Sequence, residues 1–368
     1  MRILINNGSV NGPLFYSMRG KLLHDIIDRE HSITLTGALD NCNNLSAIDG
    51  ISVVEAPVSR VGMNPFSDLK LLLFYIRYMK SHHVDVVHSY TAKANIYGSI
   101  GARLAGVKRI YPTINGLGYA FTGTSAKARM IKRIMCRLYK RAFKCSTKVF
   151  FQNPDDINEM VTLKVIKREK CVLLSGSGVD LNKYAFNEPK EKPVFFLASR
   201  LLVTKGVNDF FVAARTIKKA YPEARFLLAG SIDDNPDSID KHDLQSICDE
   251  GIVEYLGVID NIPEVLSESS VFVLPSYYRE GIPHSLLEAL SVGRAIITTD
   301  SPGCKEAVNG KNGFIIHPRD TDALIEKMRW MIEHPNEVKV MGIESRKYAE
   351  ERFDVQLVNK LIIETMEI

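Results

Sequence analysis

The sequence predicts an α/β protein of two Rossmann-like, doubly wound domains facing each other across a cleft. Three observations lead to that class. Short apolar runs alternate with longer stretches of helical periodicity along the chain, as in parallel sheets covered by helices on both faces. The alternation breaks once, at the polar, proline-bearing stretch 183–193, and then restarts. The chain has 368 residues, more than one hydrophobic core usually fills.

In the first half the buried-strand candidates are RILI (2–5), SITLT (32–36), ISVVE (51–55), VDVVH (84–88), RIYPT (109–113), KVFFQ (148–152) and CVLL (171–174). In the second they are VFFLAS (194–199), RFLLAG (225–230), IVEYL (252–256), VFVLPS (271–276), AIITT (295–299) and GFIIH (313–317). The implied division is an N-terminal domain over 1–182, a linker over 183–193 and a C-terminal domain over 194–345. A last helix within 346–368 is expected to cross back to the first domain. Doubly wound sheets bind ligands beyond the carboxyl ends of their strands, so the informative residues are sought just after each run.

Composition narrows the class. A chain 45% apolar and 24% charged is an ordinary soluble globular protein, and a net charge of +4 points to no particular partner. The N-terminus, MRILINNGSVNGP, is too short and too broken for a secretory apolar segment. The longest apolar candidate, 69–79, carries Lys70 and Arg77, which argues against a membrane span. Cysteines at 42, 136, 145, 171, 248 and 304 show neither C-x-x-C nor metal-ligand spacing and read as reduced thiols of a cytosolic protein.

The second half carries the chemistry. ASRLLVTKG (198–206) sets Arg200 and Lys205 between a strand and a helix beginning near Gly206. Two cations beside a helix N-terminus suit a diphosphate, although from this segment alone a solvated surface pair serves equally. VFVLPS then feeds YYREGIPHSLLEAL, with Glu280 on the loop, Pro283 early in the next helix and Glu288 in its second turn. The amides of Gly281, Ile282 and His284 can point into the cleft, and the Glu288 carboxylate can accept two hydroxyl hydrogen bonds, as a ribose would offer. A charge embedded in SLLEAL needs a partner, which weighs against an ordinary surface glutamate.

SRLLVTKG, VFVLPS with EGIPHSLLEALSVGRAIITTD, and GVD at 178–180 resemble the retaining glycosyltransferases of family 4, which have the GT-B fold. Glu280 and Glu288 meet that family's E-x7-E signature, and the resemblance covers the whole chain. It implies a nucleotide-sugar donor held mainly by the second domain and an acceptor held by the first. Arg200 and Lys205 would neutralise the leaving diphosphate, Glu280 would contact the sugar hydroxyls, and Glu288 would bind the ribose. Gly230 and the segment 257–263, with Val258 and Ile262, would flank the nucleobase, while Gly281, Ile282, Pro283 and Leu287 would border the nucleotide.

No metal and no cofactor are implied, because Arg, Lys and a helix N-terminus can supply the charge neutralisation. The one literal D-x-D, at Asp320 and Asp322, opens an amphipathic helix and reads as its N-cap. Retention, with front-face attack and the leaving phosphate as base, is likewise what the resemblance implies.

In the first domain the resemblance brings Gly8, and Asn115 and Gly116 of the stretch 113–123, to the donor. The paired glycines common in the family are absent around Gly8. His88, ending VDVVH, would contact sugar or acceptor and join the catalytic group, the alternative being a structural histidine. Lys93 would meet an acceptor phosphate. Phe15 and Arg19 lie four apart on the following helix and either face the acceptor or supply core packing and a surface charge.

Residues 125–148 hold nine Lys or Arg and no acid, with Ile131, Ile134, Met135, Leu138 and Ala142 at helical spacing. Such a helix can pack its stripe inward and turn its basic face to anionic lipid, at about 1 kcal/mol per base. Of Phe66, Phe74, Tyr75 and Tyr78 most read as core, with a lipid tail the other use.

GMNPFSDL (62–69), GLG (116–118) and KGVNDFF (205–211) carry a narrower likeness, to bacterial N-acetylgalactosaminyl and related hexosaminyl transferases of O-antigen and lipid-linked oligosaccharide assembly. That likeness implies UDP-GalNAc as donor, a polyprenyl-diphosphate-linked saccharide as acceptor, and a cytoplasmic protein at the inner face of the plasma membrane. Another UDP- or GDP-hexose, or a nucleotide-sugar epimerase of the same fold, is the alternative. A dinucleotide-binding oxidoreductase fails, because the third glycine of its fingerprint in SGSGVD (175–180) would fall on Leu181. A nucleic-acid binder would use 125–148 but leaves Arg200, Lys205 and both glutamates unexplained.

Overall fold

The computed structural model describes residues 1–58, 64–118, 121, 123, 125–190, 192–232 and 235–368. The chain forms two compact units, Met1–Ser177 with Gln356–Ile368, and Gly178–Val355.

The first unit is built on β1 (Arg2–Asn11), β2 (Ser32–Asp40), β3 (Ile51–Glu55), β4 (Val86–Tyr90), β5 (Arg109–Ile114), β6 (Val149–Phe151) and β7 (Cys171–Leu173). They form one parallel sheet in the order β3-β2-β1-β4-β5-β6-β7. Its helices are α1 (Gly12–Ile27), α2 (Asn43–Ser46), α3 (Pro65–Ser81), α4 (Ser99–Ala105), α5 (Ala126–Cys145) and α6 (Pro154–Thr162).

Helix starts follow local chemistry. Asn11, Asn64 and Asn153 each cap a helix with a proline in its first positions, and Ser125 caps α5 through the Ala128 amide at 3.1 Å. Alternate strand residues serve opposite layers. Ile3, Ile5, Ile33 and Leu35 join one core, whereas Leu4, Val87 and Ile110 pack with Leu71, Tyr75 and Met79 of α3.

The second unit repeats the plan with β8 (Val194–Ala198), β9 (Arg225–Ala229), β10 (Glu254–Tyr255), β11 (Val271–Leu274), β12 (Ala295–Thr299) and β13 (Gly313–Ile316), ordered β10-β9-β8-β11-β12-β13. Around them lie α7 (Val207–Ala220), α8 (Lys241–Asp249), α9 (Ile262–Glu268), α10 (His284–Val292), α11 (Thr321–Glu333) and α12 (Pro335–Tyr348). Phe195, Leu197, Phe226, Leu228, Val271 and Val273 fill one face, and Phe196, Leu227, Phe272, Leu274 and Ile296 the other. Near-continuous apolar runs are what a parallel strand needs when both its faces are covered. Every strand expected from the sequence is present, and the two-sheet α/β class stands.

The stretch 183–193 is corrected. It belongs to the second unit instead of bridging between units. Tyr184 is buried in that unit's core, and the buried Arg294 guanidinium donates to the carbonyls of Asn187 and Ser269, with a third bond to Val292 at 3.1 Å. The last helix, α13 (Val355–Met366), places Val358, Ile362, Ile363 and Met366 in the core of the first unit. Its Asn359 donates to Asp25 at 2.7 Å.

Candidate active site

In the second sheet the strand order reverses between β8 and β11, the place where a doubly wound fold leaves a crevice at the strands' carboxyl ends. The loop after β8 carries Arg200 and Lys205, and the loop after β11 carries Glu280. Backbone bonds join the two loops. The amides of Tyr277 and Tyr278 donate to the Thr204 carbonyl at 2.9 and 3.0 Å. Gly206, at φ +75, is where α7 begins; a Cβ there would stand 2.3 Å from the Pro275 carbonyl oxygen, so only glycine lets the loops approach this closely.

That approach brings Lys205 and Glu280 into an ion pair. Lys205 is 7% exposed, its ammonium also lies 5.8 Å from the Tyr278 ring centroid, and Ser276 Oγ donates to Glu280 at 3.4 Å. Arg200 is exposed at the mouth of the same loop. Neither Gly206 at the start of α7 nor Pro283 at the start of α10 offers a capping side chain, so both helix N-termini keep their dipole ends for an anion. Behind the pair sits Cys304, fully buried, whose thiol is pushed up to about 12, first by burial and then by the Glu280 charge. It stays protonated at neutral pH.

Glu288 lies on α10, nearly buried, and accepts from the Tyr184 hydroxyl at 2.5 Å, with His284 Nε2 at 3.4 Å. The partner required by a charge in SLLEAL is therefore Tyr184, from the stretch expected to be a linker. Gly230 directly follows β9, its amide bonded to Gly257 and its carbonyl to Tyr255 Oη, each at 2.8 Å, beside exposed Val258. Ile262 is partly buried at the start of α9. Gly281 is buried. The side chains of Ile282 and Leu287 are core, so only their main chain can meet a ligand, which at Ile282 is the amide expected to face the cleft. Pro283 is the N-cap of α10, one step before the first helical residue. Asp320 caps α11 through the Ala323 amide at 2.9 Å. Among the described residues no three His, Cys, Asp or Glu side chains gather to hold a metal.

In the first unit the order reverses between β1 and β4. His88 does not end its strand. It sits within β4 at 0% exposure, held by Thr113 at 2.8 Å, because buried Ser89 and Tyr90 continue the strand. Burial, with a smaller push from Arg19, lowers its pKa to about 3, so the ring is neutral. Of the two readings for Phe15 the structure takes core packing over the acceptor. Arg19 is no surface charge either, being 7% exposed with its guanidinium 4.4 Å from the Tyr90 ring centroid.

Lys93, expected to meet a phosphate, is ion-paired with Asp68 at 2.9 Å, and Asp68 also accepts from Tyr97 at 3.0 Å. Gly8 abuts Thr91, within the register shift between Asn6 and Ser9. Asn115 accepts from Gln152 at 3.2 Å, and Gly116 follows it. Of the stretch 113–123, residues 119, 120 and 122 lie outside the described residues, as do 62 and 63 of GMNPFSDL.

Comparison with known proteins now decides the family. Residues 180–348 match the glycosyl transferases group 1 family, and residues 15–153 match the glycosyl transferase 4-like family. The N,N'-diacetylbacillosaminyl-diphospho-undecaprenol alpha-1,3-N-acetylgalactosaminyltransferase of Campylobacter jejuni is 30% identical over 88% of this chain and 87% of its own. The chain belongs to the group 1 glycosyltransferases. A second relative of this glycosyltransferase is the UDP-Gal:alpha-D-GlcNAc-diphosphoundecaprenol alpha-1,3-galactosyltransferase of Escherichia coli, 29% identical over 76% of this chain and 74% of its own. Among solved structures, Anabaena HepE in complex with UDP and glucose matches with TM-score 0.79 and 18% identity, covering 100% of this chain and 99% of that one. At that identity the match shows the shared GT-B fold.

Proposed function

We propose that this glycosyltransferase moves N-acetylgalactosamine from UDP-GalNAc, with retention, onto a polyprenyl-diphosphate-linked saccharide in bacterial surface-glycan assembly. The observation that carries the reading is the Lys205–Glu280 pair at the switch point of the second sheet, beside two helix N-termini without side-chain caps. Arg200, Lys205 and the helix ends would receive the diphosphate and stabilise its charge as it leaves, in place of a metal ion. Glu280 would turn to the hydroxyls of the sugar, and Glu288, already oriented by Tyr184, to those of the ribose. Neutral His88 would hold Thr113 and its strand in place near the acceptor.

The donor sugar and the lipid-linked acceptor are read from the relatives' activities, and membrane attachment from α5. That helix exposes Arg133, Arg137, Lys140, Arg141 and Lys144 along one face while burying Ala128, Tyr139, Ala142 and Phe143. Among the described residues no helix is long and apolar enough to cross a membrane, so attachment would be peripheral, from the cytoplasmic side.

A screen of UDP- and GDP-sugars against synthetic lipid-diphosphate monosaccharides tests the proposal. The expected result is turnover with UDP-GalNAc, undiminished by a chelator, giving an α-linked product by NMR. Turnover with GDP-mannose alone rejects the donor, a β product rejects retention, and loss of turnover with chelator rejects metal independence. Conversion of donor without any acceptor would instead indicate an epimerase.

A further inference from the structure

At the other edge of the first sheet lies a cavity of about 820 Å³ that the donor and acceptor sites do not use. It is bounded by the end of α5, the end of α6 and residues 164–170, which lead into β7. Segments that precede parallel strands lie at their amino ends, whereas Asn115 and Gly116 follow β5 at the carboxyl end. The cavity is therefore separate from the catalytic edge.

Its composition is two-layered. Phe143, Val161, Val165 and Ile166 form an apolar floor. Around the rim stand Lys140, Lys144, Lys164, Lys167 and Arg168, all exposed, against a single acid, Glu169, which lies 3.5 Å from Lys167. Lys170 is spent on structure. Its ammonium donates to the carbonyls of Phe143, Lys144 and Ser146 at 3.0, 3.4 and 2.6 Å, closing the end of α5 and fixing the cavity wall. Lys140 and Lys144 belong both to the rim and to the exposed basic face of α5, so the two surfaces are continuous.

We propose that this cavity binds one acidic phospholipid, with its headgroup phosphate on the rim cations and the start of an acyl chain on the apolar floor. A free phosphate or a nucleic-acid backbone would meet only the rim; a lipid also brings apolar chain to half-buried Val161 and the narrow exposed edges of Val165 and Ile166. The proposal rests on the membrane-facing reading of α5 and adds to it a discrete lipid site.

The test uses the full chain and two glutamine variants. One changes Lys164, Lys167 and Arg168 on the rim, the other Arg133, Arg137 and Arg141 on the helix face. Each must keep the wild-type melting temperature and turnover with a short-chain, water-soluble acceptor. Soluble dihexanoyl-phosphatidylglycerol is titrated against the protein by NMR, with inorganic phosphate as the comparison ligand. Flotation with phosphatidylcholine vesicles, with and without phosphatidylglycerol, follows.

The wild type should bind the short-chain lipid at one site and inorganic phosphate far more weakly. The rim variant should lose the site, and its vesicle partitioning should fall by about two orders of magnitude, as expected for three bases. Equal binding of phosphate and lipid, or a rim variant that binds lipid like the wild type, overturns the cavity proposal. If only the helix-face variant then fails to float, the membrane reading of α5 survives without the cavity. If both variants float like the wild type, both readings fall.

Discussion

Lys205 and Glu280 stand 75 residues apart in the chain and are ion-paired where the loops after β8 and β11 meet. In the proposed reaction an arriving diphosphate would compete with Glu280 for the Lys205 ammonium and free the carboxylate to turn to the sugar. The two residues would then have separable roles. Lys205→Ala should weaken UDP binding about 10- to 100-fold by calorimetry, the loss of one charge-assisted contact. Glu280→Gln should keep UDP affinity and lower kcat by about 100-fold or more. Equal effects of the two changes on UDP affinity would contradict this division.

Tyr184→Phe removes the hydroxyl that orients Glu288. If Glu288 holds the ribose as proposed, affinity for UDP and for uridine should fall together by about tenfold, whereas pyrophosphate inhibition should stay unchanged. A loss confined to pyrophosphate would place Glu288 elsewhere in the site.

Gly206→Ala tests the approach of the two loops. The new methyl would meet the Pro275 carbonyl at 2.3 Å from a backbone at φ +75. A loss of about 2 kcal/mol or more in urea unfolding is expected, with turnover falling further than stability explains because Lys205 moves with the loop.

His88 gives a pH signature. Its folded pKa, about 3, lies below the ordinary value near 6.5, so neutral His88 contributes stability above pH 6.5. That contribution is lost as pH falls from 6.5 towards 3, reaching about 2 kcal/mol at pH 5. Urea melts between pH 7 and 5 should therefore show a steeper fall for the wild type than for His88→Gln. Parallel curves would mean that His88 is not buried neutral.

The sequence disclosed the two sheets because parallel strands covered on both faces must read as apolar runs. It disclosed Glu288 because a charge amid leucines stands out, and Glu280 because it follows a strand with seven residues between it and Glu288. Tyr184 was hidden since one buried aromatic among Lys, Asn, Glu and Pro leaves no periodic trace. The Lys93–Asp68 pair joins two helical segments 25 residues apart, which no local pattern links. His88 was misplaced because Ser89 and Tyr90 look like a loop, although Asn6 of β1 donates to Ser89 at 3.2 Å and keeps β4 going. In α5 the expected stripe is partly met: Ala142 is fully buried and Met135 and Leu138 pack on the core, but Tyr139 and Phe143 are buried where Ile131 and Ile134 are not, the Phe143 ring meeting Phe151 of β6.

The most direct measurement is a crystal structure of the enzyme soaked with UDP. The account predicts the diphosphate against Lys205, Arg200 and the first amides of α7 and α10, with the ribose on Glu288. A diphosphate lodged away from Lys205, with the Lys205–Glu280 pair intact, would contradict it.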